Sequence, residues 1–412
     1  MPRLVLYTSA FPQLSETFIV QKFLGLLQRG WDVHLLTAQV DAQAWKHYPQ
    51  LSQPAIRSRV HAAWPHRPRW LALLLLPFAM LRCLALTPRG LWRYARLALK
   101  RWGLAKALRR FYLDSSFISL KPHLVHFEFG TLAVEQADLG QLLGCKVVVS
   151  FRGYDLNFAG LEQPDYYRQV WQHADGLHLL GEDLWQRAQR RGCPAHKCHA
   201  LIPPAVDAER LIPAQRKDGG EVGTAYRPLR LLSVGRLEWK KGYEYGLQAV
   251  DWLRQAGIAC DYRIVGGGSY LEPLAFTRHQ LGLVESVTFM RGLQHAQVME
   301  QLAWADVFLH AAVSEGFCNA VMEAQAMQVP VVCTDADGLA ENVVDGESGF
   351  VVPRRNPQAL AQRIQELAHD GSLRQRMGQA GRERVMAKFS FEKQMKEFES
   401  FYQTIMNQRA KN

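Results

Sequence analysis

Between Ala42 and Leu113 the chain has no aspartate or glutamate at all, although 14 lysines and arginines fall there. Outside that stretch 35 basic residues meet 38 acidic ones, so the net charge of +11 belongs to one segment. This excludes a generally basic, nucleic-acid-binding protein and points to a local docking surface for something anionic. Cysteine is scarce and scattered, seven in 412 residues, which excludes a disulfide framework. Leu4–Tyr7 already reads as a strand with no signal peptide before it, so a reducing cytoplasm is expected. The most apolar run, Trp70–Leu86, is shorter than the roughly 20 residues a membrane span needs, and Pro77 and Arg82 interrupt it. There is no Walker A sequence. The turn Thr8-Ser9-Ala10-Phe11-Pro12 has no glycine fingerprint, which argues against a nicotinamide-dependent oxidoreductase. No short-period repeat and no low-complexity segment is found.

What is present is an alternation of short apolar runs with helical sequence. At 412 residues, 48% hydrophobic and 21% charged, the chain is globular and fits two domains of about 200 residues each. Strands are expected at Leu4–Tyr7, Val33–Thr37, Leu124–Phe127, Val147–Phe151 and Leu177–Leu180. A turn from Thr8 to Ser15 and a helix from Glu16 to Arg29, stopped by Gly30, follow the first of them. A second series comprises Leu231–Val234, Tyr262–Val265, Val287–Phe289, Val307–His310, Val331–Cys333 and Phe350–Val352. Near-continuous apolar strands alternating with helices mean an α/β protein with parallel sheets covered on both faces. The expected organisation is a Rossmann-like domain over 1–205, a second over 206–385, and a C-terminal helix over 386–412 packing back on the first. Two doubly wound halves imply a cleft, with ligands beyond the carboxyl ends of the strands.

The sequence places its chemistry at those strand ends. In Ser314–Val332, SEGFCNAVMEAQAMQVPVV, Glu315 reads as a turn residue before Gly316, Phe317, Cys318 and Asn319, while Glu323 reads as helical. A helix N-terminus with its unpaired N–H groups suits a phosphate or diphosphate, although an ordinary capped helix reads the same way. Gly235-Arg236-Leu237-Glu238-Trp239-Lys240-Lys241-Gly242 puts Arg236 and Lys241 at a strand end, as two fixed cations for a diphosphate or as a solvated basic loop. Gly266-Gly267-Gly268-Ser269 would let a ligand approach the backbone. In the first half, His126-Phe127-Glu128-Phe129-Gly130 and Ser150-Phe151-Arg152-Gly153-Tyr154-Asp155 end strands, so Arg152 and Asp155 are expected to face the cleft. His126 is either an acceptor-side residue or a satisfied structural histidine. The turn Ser9–Thr17 opens onto the same place.

The basic block reads as amphipathic helices over about 57–113. Arg93, Arg96 and Lys100 fall on one helical face and Trp92, Ala95, Leu99 and Trp102 on another, the pattern of a helix lying in a bilayer interface. A core-facing helix with a solvated basic face is the alternative.

Gly235-Arg236-Leu237 with Lys241-Gly242, Glu315-Gly316-Phe317 with Glu323, Asp345-Gly346 and Gly349-Phe350 together resemble the donor half of family 4 glycosyltransferases with the GT-B fold. The resemblance spans nearly the whole C-terminal half. It implies Arg236 and Lys241 on the donor diphosphate with Gly235, Gly266 and Gly267 beside it. It further implies Glu315 near the transferred sugar, Glu323 on the ribose, and backbone amides of Phe317, Cys318, Asn319 and Ala320 on phosphate. The N-terminal pieces, Phe11–Phe18 and Ser150–Asp155, are similar to a bacterial subgroup that builds exopolysaccharides such as colanic acid. Ser15, Glu16, Thr17, His126, Arg152 and Asp155 are then the expected acceptor side. The chain departs from the pattern at Arg152, where many members have His, and at Cys318, where Gly is usual; the latter permits the turn only with a negative φ.

The resemblance implies a retaining hexosyltransferase with a nucleotide-diphosphate sugar as co-substrate and no other cofactor. A lipid-linked glycan acceptor and a peripheral position on the inner face of the cytoplasmic membrane go with it. A silent sugar-nucleotide binder, or an enzyme with a small soluble acceptor, is the alternative. No metal is expected: Asp335-Ala336-Asp337 reads as a capping turn ahead of Leu339, and Cys193-Pro-Ala-His196-Lys-Cys198-His199 has the wrong spacing for common zinc sites.

Overall fold

A computed structural model describes residues 2–13, 16–63, 69–213 and 222–408. The chain divides into two compact units, one of residues 1–179, 185–202 and 395–412, the other of 180–184 and 203–394. The second unit thus begins at 203, and the returning segment begins at 395 where 386 was expected. Residues 386–394 stay with the second unit, where the Val206 N–H donates to the Phe389 carbonyl at 3.0 Å.

The first unit contains β1 (Arg3–Phe11), β2 (Asp32–Val40), β3 (Val60–Ala62), β4 (Leu124–Phe127), β5 (Lys146–Phe151), β6 (Gly176–Leu179) and β7 (His199–Leu201). They form one parallel sheet in the order β3-β2-β1-β4-β5-β6-β7, with the reversal of direction between β1 and β4. All four residues of β4 and of β6 are buried, which is why these strands read as apolar runs broken only by His126 and His178. β1 is longer than its apolar core: Thr8, Ala10 and Phe11 stay paired with Thr37, Gln39 and Val40, so the turn begins only after Phe11. The short edge strands β3 and β7 carry no apolar run and were not legible.

The second unit contains β8 (Leu229–Val234), β9 (Cys260–Val265), β10 (Val287–Met290), β11 (Val307–His310), β12 (Val331–Thr334) and β13 (Gly349–Val352). Their order is β10-β9-β8-β11-β12-β13, all parallel, and the reversal falls between β8 and β11. Each unit is therefore a doubly wound α/β layer structure, as expected, and each switch point opens at the carboxyl ends of its central strands.

Two helices, Arg69–Leu86 and Pro88–Leu120, carry most of the basic block. Gly103, at φ 73° and ψ 177°, breaks the second in the middle, a conformation glycine adopts without strain. Ala79, Cys83, Tyr94, Ala98 and Phe111 pack the pair together. Tyr94, not Trp92 or Leu99, faces the core, and its hydroxyl donates to Asp114 at 2.8 Å. Leu74, Phe78, Leu81, Trp92, Leu99 and Leu104 are exposed, so the apolar stripe is not turned inward. Arg93 lies against Gly144, where a Cβ would strike its guanidinium, while Arg96 and Lys100 are exposed. Among the described residues no helix is long and apolar enough to cross a membrane.

The last helix, Phe391–Asn407, returns to the first unit from Met395 onward. Glu399 accepts from Arg29 at 3.0 Å and from the Trp31 indole at 2.9 Å, and Phe398 and Tyr402 are buried there.

Candidate active site

In the second unit the loop after β8 runs through Gly235–Glu238 into a 3-10 turn, Trp239–Lys241, and then into the helix Tyr243–Gln255. Gly242 joins them at φ 59°, and a Cβ there would strike the Ala311 carbonyl oxygen. Glycine at this position lets the loop lie directly on the segment after β11, to which it is tied by the Val313 N–H donating to the Lys240 carbonyl at 2.9 Å. This contact brings Lys241 to Glu315. The Lys241 Nζ donates to the Glu315 carboxylate, with side chains only 12% and 16% exposed.

Glu315 lies in the loop and Glu323 on the helix Asn319–Ala326. His310, the last residue of β11, is fully buried and sets its Nε2 3.5 Å from Glu315 Oε2. Cys318 caps the helix with φ −113° and ψ 108°, a conformation open to any residue, so the departure from glycine costs the turn nothing. His310, Glu315 and Cys318 place one ligand-type atom each within 4.8 Å of one another.

The electrostatics follow from this packing. Burial acts to raise Glu315, but Lys241 and His310 override it and hold the carboxyl down at about 2. Burial acts to lower His310, yet Cys318 and Glu315 lift it to about 9. Burial acts to lower Lys241 as well, and Glu315 reverses that shift. The Cys318 thiol lies below its ordinary value in spite of burial, because His310 and Lys241 stabilise the thiolate. The result is a set of partners at a helix N-terminus in which Lys241, His310 and Glu315 favour one another's charged forms.

Several expected contributors take other places. Arg236 is not a second fixed cation: its side chain is 66% exposed and its Nη1 bonds Glu238 at 2.8 Å. The Cys318 amide donates to Asn342 Oδ1 at 3.2 Å, so it is already engaged. Phe317 packs on Phe389 at 5.6 Å between ring centres. The glycine run is chiefly a packing device, since a Cβ at Gly266 would strike the Gly235 carbonyl and one at Gly268 the Leu237 carbonyl. Only Gly267 faces open space. Asn319 is exposed, Ala320 half-buried and Gly316 buried. Glu323 Oε1 lies 3.1 Å from His295 Nε2. Arg354 holds both Asp335, at 3.2 Å, and Asp337, at 3.0 Å. His199 stacks on Trp185 with ring centres 3.7 Å apart.

In the first unit Arg152 follows the last residue of β5, Phe151, and is the N-cap of the short helix Gly153–Asn157. Its guanidinium lies 3.6 Å over the Phe18 ring and 5.6 Å from that of Phe129, with Nη2 3.6 Å from Glu128 Oε2. Glu128 also holds Lys22 at 2.6 Å, a pair closed off from solvent. Burial pushes Glu16 up to about 7; Arg152 opposes the shift and Glu128 adds to it. Thr17 opens the first helix and is exposed, and Ser15 lies outside the described residues.

Two acceptor-side expectations are corrected here. His126 is fully buried and spends both ring nitrogens internally, 2.7 Å from the Tyr402 hydroxyl and 2.7 Å from the Ser150 hydroxyl. Asp155 is a capping residue, accepting from the Arg152 and Thr131 amides at 2.9 and 3.0 Å. Sequence reasoning missed Lys22, Glu128 and His310. Only His310 carried a signal, a polar residue ending an apolar central strand.

The Glycosyl transferases group 1 family matches residues 217–384. The putative colanic acid biosynthesis glycosyltransferase WcaL of Escherichia coli (strain K12) is 32% identical over 382 residues, covering 86% of this chain and 87% of that one. The amylovoran biosynthesis glycosyltransferase AmsK of Erwinia amylovora is 28% identical over 377 residues, 87% of this chain and 89% of its own. Among solved structures, Anabaena Alr3699/HepE in complex with UDP-glucose superposes with a TM-score of 0.73 at 14% identity, covering 98% of this chain and 100% of that one. The sucrose-phosphate synthase of Thermosynechococcus elongatus gives 0.70 at 18% identity, covering 98% and 99%. These two structures speak to the GT-B fold alone.

Proposed function

The chain belongs to the group 1 glycosyltransferases, and from that premise we propose a retaining, family 4 enzyme that moves a hexose from a nucleotide-diphosphate sugar. It acts in bacterial exopolysaccharide synthesis, which the names of the colanic acid and amylovoran relatives support, and its proposed acceptor there is a lipid-linked glycan. The observation that carries it is the Lys241–Glu315 pair, held at the carboxyl ends of β8 and β11 ahead of a helix N-terminus.

Before the donor arrives, Lys241 is paired with Glu315. An arriving diphosphate takes over the lysine, and the released carboxylate turns to the hydroxyls of the sugar. Lys241, with Arg236 swinging in from solvent, then carries the charge that builds on the leaving diphosphate as the acceptor hydroxyl attacks the anomeric carbon. The diphosphate itself takes the acceptor's proton. Arg152, Glu16 and Thr17, at the carboxyl edge of the first sheet, form the acceptor side.

The test is release of nucleoside diphosphate by purified protein across a panel of nucleotide sugars. Lys241→Ala is expected to lower kcat by about 10²–10³-fold, the usual loss when one charge-stabilising donor is removed. A wild-type protein that binds a donor without turnover, or a Lys241→Ala variant of unchanged rate, would sink the reading.

A peripheral position on the cytoplasmic face of the membrane belongs to the same proposal. Exposed Leu74, Phe78, Leu81 and Trp92 lie on the helices that also expose Arg96 and Lys100, and no acidic residue falls between Leu74 and Lys100. The protein is expected to sediment with anionic liposomes at low salt. Arg96→Ala/Lys100→Ala should weaken this by about 1 kcal/mol per residue. Equal recovery with neutral and anionic vesicles would remove the membrane from the proposal.

A further inference from the structure

The Lys241–Glu315 pair accounts for two of the four charged or polarisable groups at the base of the second unit's switch point, and leaves His310 and Cys318 without a task. His310 Nε2 is fully buried and makes no well-formed hydrogen bond among the described residues, although it points at Glu315 and Cys318. Cys318 is a buried free thiol. The three residues come from three different supports. His310 ends a central strand, Glu315 is drawn down by Lys241, and the Cys318 backbone is clamped on both sides by the Asn342 side chain, at 3.2 and 3.1 Å. An imidazole nitrogen, a thiol sulfur and a carboxylate oxygen thus converge within 4.8 Å in a site from which solvent is largely excluded.

We propose that His310 Nε2, Cys318 Sγ and the Glu315 carboxylate form a binding site for one thiophilic divalent cation of the Zn²⁺ type. Mixed nitrogen, sulfur and oxygen donors suit Zn²⁺ and exclude Mg²⁺, which takes oxygen ligands. Three protein ligands leave a fourth position open in a tetrahedral ion. With bonds of about 2.0–2.3 Å the metal holds its ligand atoms closer than 4.8 Å, so binding draws the three side chains together through small rotamer changes. Cys318 gives up its thiol proton and His310 binds as the neutral imidazole, so both protons leave to solvent. Lys241 loses Glu315 to the metal. The cation therefore occupies the carboxylate that the donor reading assigns to the sugar, and it acts as an inhibitor of that step. The site itself stands on the three side chains and does not require the donor reading.

The experiment uses full-length, reduced protein freed of metal, titrated with Co²⁺ as a spectroscopic stand-in and with Zn²⁺ against a colorimetric chelator. One equivalent of Co²⁺ is expected to bring up a thiolate-to-metal charge-transfer band that Zn²⁺ bleaches and Mg²⁺ does not. Cys318→Ser should abolish the band, and both Cys318→Ser and His310→Ala should weaken Zn²⁺ by at least about 100-fold. Circular dichroism checks that each variant is folded. Absence of the band in the wild-type protein overturns the proposal without recourse to any variant. A band or a Zn²⁺ affinity that survives Cys318→Ser assigns the metal to the other thiols and overturns it equally. Thermal shifts with UDP and with GDP in metal-free buffer test the donor reading separately, so the failure of one leaves the other legible.

Discussion

Lys22 with Glu128 in the first unit, and Lys241 with Glu315 in the second, are the same pair of residue types at corresponding places, beside the switch point of a parallel sheet. They are built in opposite senses. Lys22–Glu128 is sealed, and burial wins over the partner, pushing the lysine down to about 8. Lys241–Glu315 retains a little exposure, and the partner wins over burial, leaving the lysine raised and the glutamate at about 2. The first pair is a support: it fixes Glu128, which faces Arg152 on its aromatic shelf. The second is a poised pair, strongly charged and open to exchange of partners. Solvent access, more than residue type, separates a lysine sealed into the fold from one that the proposed function gives to the donor.

The comparison breaks most readily at Lys22. Replacing it by Ala leaves the buried Glu128 with only the looser Arg152 contact at 3.6 Å, which should cost about 3 kcal/mol in chemical denaturation. A loss below about 1 kcal/mol would show that the pair is not a support. Lys241→Ala should reverse the order of effects, losing turnover first, with a smaller loss of stability because His310 stays beside Glu315.

Glu16, near the first pair, and Glu315, within the second, sharpen the contrast through pH. Glu16 is raised to about 7 in the folded chain from an ordinary 4.5, so the unfolded chain loses that proton first. Its contribution therefore favours folding below pH 4.5 and is lost as pH rises from 4.5 to about 7. Glu315 is lowered to about 2, so its contribution is present above pH 4.5 and disappears as pH falls from 4.5 toward 2. Denaturation midpoints measured across both windows should lose the first slope in Glu16→Gln and the second in Glu315→Gln. A Glu16→Gln profile identical to wild type would return Glu16 to the class of ordinary surface carboxylates.

The smallest effect is expected at Arg236. Because it is mostly exposed and shared with Glu238, Arg236→Ala should cost about tenfold or less in kcat/KM, well short of Lys241→Ala. Equal losses at the two positions would restore the picture of two fixed cations.

The sheets were legible because parallel strands buried on both faces cannot hide: Val147–Val149, Val307–Leu309 and Val331–Cys333 are apolar without a break. β3 and β7 escaped because an edge strand is held by one neighbour and needs no apolar run. At the site, Glu315 in a loop and Glu323 on a helix were readable from glycine placement and periodicity. The capping role of Asp155 was not, and His126 was left open between an acceptor residue and a structural one, because a strand-end position is shared by residues that face solvent and residues that tie neighbouring elements together. Gly266 and Gly268 show the same limit: a missing side chain serves a ligand or a neighbouring carbonyl equally well, and here the carbonyls of Gly235 and Leu237 occupy the space.

The return of residues 395–407 to the first unit has a consequence for biosynthesis. The hydroxyl of Tyr402 and the ring of Phe398 complete a core whose other members, His126 and Lys22, are translated long before them. The N-terminal sheet therefore emerges from the ribosome with a hydrophobic seam still open, and closes it only after the entire second unit has been made. A truncation before Met395 would strike the beginning of the chain harder than the segment next to the cut.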